Sequence, residues 1–160
     1  MNLKTAVCAL TAIALASTLS GCGTGKRPFL IAQVCLKNEQ ERSAFTRELQ
    51  LIAQSEGASL VDNSENTQKE LRAIGNPNLE KTLSRPVINV GMFREHGVGL
   101  IANNVGTAGN EVAIGFSEGA NPSDAHRFAQ MVVGKLEEHW HVEIVPNPAE
   151  SGALPMKECK

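Results

Sequence analysis

Apolar and polar positions alternate first at residues 29–36 (FLIAQVCL), where Leu30, Ala32, Val34 and Leu36 share one side. Period two predicts a strand with that side inward and Phe29, Ile31, Gln33 and Cys35 on the other. The pattern then changes to helical spacing. Asn38 is placed to cap, Glu41 follows three residues on, and Phe45, Leu49 and Ile52 fall at i, i+4 and i+7 before Gly57. These signals predict a capped amphipathic helix and its stop. A short apolar segment at 58–61 predicts a second strand. Residues 62–85 are harder to read: 67–74 predicts a short helix through Leu71 and Ile74, and Leu79 and Leu83 suggest another helical turn.

Pro86 introduces strands at 87–93, 98–103 and 111–116, joined by a turn at Glu95-His96-Gly97 and a Gly/Asn-rich loop at 104–110. Such a run predicts an antiparallel meander. Asn121 and Pro122 open a helix with Ala125, Phe128, Ala129, Val132 and Leu136 on one stripe, and residues 138–145 predict a last strand. The order β-α-β-(α)-β-β-β-α-β predicts an α+β fold, with two main helices on one face of a largely antiparallel sheet. The order resembles an elaborated ferredoxin-like arrangement, a likeness that carries no function.

The N-terminus has a different character. Lys4 precedes an uncharged apolar run at 6–19, about the length of a signal-peptide core and short of the ~20 residues needed to span a bilayer. The run ends in Leu19-Ser20-Gly21-Cys22, which resembles the lipobox of bacterial lipoproteins. The resemblance covers residues 1–22 only. It implies cleavage before Cys22, a diacylglycerol on its sulfur and acylation of its new amino group. Gly23 stands where an Asp would mark inner-membrane retention, which implies the outer membrane, facing the periplasm. The expected organisation is a signal peptide over 1–21, lipidated cysteine and tether over 22–28, and one periplasmic domain over 29–160. The tether reaches at most about 20 Å.

Removing the signal leaves 139 of 160 residues and, with Lys4 gone, 14 basic against 17 acidic side chains, a net charge of −3. The basic residues are scattered, which argues against nucleic acid as a partner. Five Phe, one Trp and no Tyr give little material for a carbohydrate-stacking cleft. With Cys8 in the signal and Cys22 lipidated, Cys35 and Cys159 remain in an oxidising compartment, and a disulfide between them is expected.

The most suggestive chemistry lies in His139-Trp140-His141-Val142-Glu143. On a strand, His139, His141 and Glu143 would share one side, and two imidazoles with a carboxylate suit zinc. The plainer alternative is the solvent side of an amphipathic strand. Ser, His and Asp occur without the G-x-S-x-G elbow of a hydrolase nucleophile. The Gly-rich stretches, Gly97-Val98-Gly99 among them, read as turns of the meander. Arg94, His96, Asn103, Asn104 and Asn110 fall in loops at the sheet ends, where a recognition edge could form. Two functions follow as expectations. The first is a membrane-tethered, non-enzymatic module that binds a periplasmic or envelope protein, as an assembly accessory or an inhibitor or immunity factor. The alternative is a metal-binding protein or metal-dependent hydrolase built on His139, His141 and Glu143. No cofactor is expected beyond the lipid on Cys22, apart from zinc in that second case.

Overall fold

The computed structural model describes residues 27–75, 83–107 and 110–146, with 153, 155, 156 and 159 of the tail. The expected signal and lipobox, residues 23–26 and most of the turn expected around Leu79 lie outside them.

Strand β1 (Leu30–Cys35) leads to helix α1 (Glu39–Ser55). Asn38 caps α1, its Oδ1 accepting from the Glu41 amide at 2.9 Å, while the Glu41 carboxylate accepts from the Lys37 amide at 2.8 Å. Two orphan amides at the helix start are thereby paired. Strand β2 (Ser59–Asp62) and helix α2 (Ser64–Ile74) follow. Helix α2 begins three residues earlier than expected, because Asp62 Oδ1 takes up the Ser64 amide at 2.9 Å and starts the turn. Strands β3 (Asn89–Phe93), β4 (Gly99–Asn103) and β5 (Glu111–Ser117) form the expected meander. Helix α3 (Pro122–Glu137) and strand β6 (Val142–Ile144) complete the described elements.

The six strands lie in the order β2-β3-β4-β5-β1-β6, and every neighbouring pair is antiparallel. This is the α+β arrangement that the alternation predicts, with ferredoxin-like element order. Ala32, Val34, Val90, Met92, Leu100, Ala102, Ile114 and Phe116 bury one side of the sheet. Phe45, Leu49 and Ile52 of α1 and Phe128, Val132 and Leu136 of α3 cover it. Helix α2 contributes no residue to that core and buries none of its own. It is tied instead to the start of β3, where the Asn89 amide donates to Ser64 Oγ and Asn89 Nδ2 donates to Thr67 Oγ1.

Two positions depart from expectation. The last strand is shorter than residues 138–145, because the amides of His139 and Trp140 both bond to the Leu136 carbonyl and prolong the end of α3. Phe29 lies on the helix side instead of the second side of β1, its ring 4.5 Å from that of His126. It precedes the first ladder-paired residue of β1, Leu30, so strand alternation does not govern it.

The expected disulfide is present. Cys35 and Cys159 are joined with their Cα atoms 5.6 Å apart, which holds Cys159 at the end of β1. Met156 is fully buried there, and its amide donates to Glu111 Oε1 at 2.6 Å. Glu111 pairs with Cys35 in the β1–β5 register, so both fastenings of the tail sit at one place on the sheet.

Candidate functional site

The second side of the sheet buries Ile31, Gln33 and Glu111 and exposes Ile101, Phe93 and Val61. Its residues are the odd partners of the core alternation: Gly91, Ile101, Gly115 and Ile31 follow one another across β3, β4, β5 and β1. Phe93 stands at the neighbouring position of β3, opposite Gly99. A Cβ on Gly91 would lie 2.6 Å from the Phe93 ring, and one on Gly99 would lie 2.8 Å from it. The ring therefore lies over two strand glycines, which makes the local surface low and apolar. Pro28 rests on Gly115 in the same way, 3.4 Å from where its Cβ would be. Between Phe93, Ile101, Ile31 and Pro28 runs a groove of about 430 Å³, with Ala153 of the tail in its wall. That volume falls within the range of small-ligand sites, ~300–1,000 Å³.

Polar groups in the groove are few and mostly engaged. Ser117 Oγ donates toward the carbonyls of Gly97 and Gly99, and Thr107 Oγ1 toward those of Asn104 and Glu111. The Asn103 amide is the third, and among the described residues no Asp, Glu, Lys, Arg or His lines the space. Phe93 is 40% exposed and Ile101 46% exposed, and Val61 on the same side of β2 is 45% exposed. The described part of the face thus offers mainly apolar contact.

The residues expected to carry chemistry are distributed elsewhere. His139 sits in the turn after α3, its Nε2 3.8 Å from Glu48 Oε2 on α1. His141 precedes β6 and faces Glu143, Nε2 to Oε1 3.8 Å. Among the described residues no three His, Cys, Asp or Glu side chains are gathered as a metal site would require. The expected recognition edge also divides. Arg94 turns inward, 3.3 Å from the Asp124 carboxylate and 5.6 Å above the Phe128 ring, and so joins β3 to α3. Asn110 accepts from Arg42 Nη2 at 2.9 Å. His96 is exposed in a left-handed turn, φ 60°, between β3 and β4. Asn103 alone of the five faces the groove. Two carboxyls are held below the ordinary range, Glu65 by its bond to Lys69 and Glu138 by its bond to Lys135, and both are exposed helix pairs.

No protein-family model, curated protein or solved structure matches this chain.

Asn104 holds one rim of the groove in place. It is buried, its Oδ1 accepts from the Ile88 amide at 2.8 Å, and its Nδ2 donates to the Pro86 carbonyl at 3.1 Å. Asn104→Ala leaves both backbone groups unpaired and is expected to cost roughly 1–3 kcal/mol. Urea denaturation measures this, and a loss under ~0.5 kcal/mol, the scale of ordinary surface changes, would show that water replaces the amide without penalty.

Proposed function

We propose that the protein is a lipoprotein anchored through Cys22 in the outer membrane, where it acts in the periplasm as a non-enzymatic module that binds an envelope protein. Its partner is a component of envelope assembly, or an enzyme or toxin that it restrains. The observation that carries this reading is the β2–α2 end of the molecule. Helix α2 is amphipathic yet buries none of its residues, and Ile74 at its end is 65% exposed. Val61 of β2, the strand that ends the sheet, is exposed beside the same segment. A helix that gains nothing from the core of its own domain is stabilised when another surface covers it. Strand β2 lies four strand spacings from β1, about 19 Å, so this end is remote from the tether.

Crosslinking in intact cells tests the proposal. A photoreactive side chain at position 74 or 61 is expected to capture one polypeptide, in a yield that falls at least fivefold when Ile74→Lys is combined with the probe at 61. The anchor is tested by the mass of the Cys22 peptide, which should carry lipid. Absence of any polypeptide adduct at both positions sinks the protein-binding role. The metal-dependent alternative gains no support from the placement of His139, His141 and Glu143. Stoichiometric zinc lost on His141→Ala would nevertheless restore it in place of the first.

A further inference from the structure

The groove on the second side of the sheet, which runs from β3 to β1, differs in chemistry from the β2–α2 end. Under it lie β3, β4, β5 and β1, each paired on both sides, so their amides and carbonyls are spent in the ladders. A peptide laid into the groove would bring its own amides and carbonyls to a floor that, among the described residues, offers the Asn103 amide as almost its only available polar partner. Buried main-chain groups without partners are costly. A hydrocarbon chain brings no such groups and loses nothing to an uncharged lining. Position favours the same occupant. Pro28 forms part of the groove wall, and six peptide steps back from it is Cys22, at most about 20 Å away. The apolar matter nearest to the groove is then the bilayer that holds the anchor.

From these observations the geometry points to a lipid contact: the groove between Phe93, Ile101, Ile31 and Pro28 takes an acyl chain of a phospholipid from that bilayer. The inference rests on the anchoring of Cys22 and is independent of what binds at α2. With the groove seated on lipid, the sheet's open face turns toward the membrane, and β2 and α2 extend along it toward the partner.

The acylated protein is reconstituted into vesicles of phosphatidylethanolamine and phosphatidylglycerol that contain a phospholipid with a diazirine in mid-chain. After illumination, adducts are expected in residues 99–107 and 113–117, at least fivefold above those on α1. Ile101→Glu places a charge in the groove and Ala113→Leu fills it, and each should lower these adducts at least fivefold. Leu51→Glu, on the exposed side of α1, should leave them unchanged. Thermal unfolding of each variant establishes that the fold is retained, and Ile101, already half exposed, is the variant least exposed to that objection. Adducts confined to residues 23–28, or unchanged in both groove variants, overturn the proposal. So does a photoreactive residue at 101 that captures polypeptide instead of lipid, or a groove closed to the label by the acyl chains of Cys22 itself. The mass of the Cys22 peptide separates this outcome from failure of anchoring. If that cysteine carries no lipid, the free protein is mixed with excess vesicles, and absence of groove adducts there overturns the lipid contact as well.

Discussion

Replacing Cys35 and Cys159 together by Ala is expected to destabilise the protein by about 5 kcal/mol in the chain-entropy model of crosslinks. The two residues are 124 positions apart, so the bond closes almost the whole described fold and removes a large part of the freedom of the unfolded chain. The native state should also lose order locally. Met156 is buried by the same segment, and its amide is paired with the Glu111 carboxylate, which is itself only 3% exposed. Release of the tail would leave that carboxylate to find water, or to remain buried without its donor. For a domain of this size the midpoint of thermal unfolding should fall by roughly 15 °C. Reduction of the unaltered protein with a dithiol should give the same shift. A loss under ~1 kcal/mol by either route would show that the tail is not fastened to the sheet by this bond, since removal of a native disulfide typically costs ~2–5 kcal/mol.

The second large effect is expected at Gly119, which joins β5 to α3. Its φ is +58°, and a Cβ there would lie 2.4 Å from the His96 carbonyl oxygen and 2.6 Å from Gly97 C and Val98 N. The neighbouring Ala120 amide donates to that same His96 carbonyl at 2.9 Å, so the two turns are locked together by backbone alone. Gly119→Ala therefore combines a left-handed conformation, worth ~1–2 kcal/mol, with a clash that no side chain can relieve. The expected cost is about 3 kcal/mol or more. Gly57 and Gly75 supply the control. Their φ values are +62° and +64°, with nothing within 4 Å of an added Cβ. Gly57→Ala and Gly75→Ala should thus show the conformational cost alone, ~1 kcal/mol. Urea midpoints at constant slope measure all three. Equal losses at the three sites would contradict the close approach of the turns.

Local signals were sufficient where one element decides its own state. The alternation at 30–36 and 112–116 and the caps at Asn38 and Asn121 needed only near neighbours, and the strands and helices form there. The disulfide was also legible, because setting aside Cys8 and Cys22, as an expected signal and lipobox require, leaves a single pair. The His139-x-His141-x-Glu143 cluster was misplaced in part because the end of α3 reaches into it through Leu136, a longer-range claim on the same residues. The groove was not legible at all. Gly99 falls at the start of an expected strand, but nothing near it in sequence shows that it makes room for a ring from β3. Gly91, Ile101, Gly115 and Ile31 come from four strands, and only their register sets them side by side. A period-two pattern tells which residues avoid the core, but not which of them become neighbours.

Both ends of the described chain meet at β1. Pro28 enters it at one end, and Cys159 is bonded to Cys35 at the other. A pull between Pro28 and Cys159 would accordingly follow a short path, through the eight residues from Pro28 to Cys35 and across the sulfur bridge. The helices and the other strands would stay outside the loaded segment. Strand β1 is held between β5 and β6, so the load would act in shear on two ladders at once. The molecule is thereby built as a mechanical shunt: tension along this path strains β1, with Pro28 and Ile31 of the groove wall, and leaves β2 and α2 unloaded.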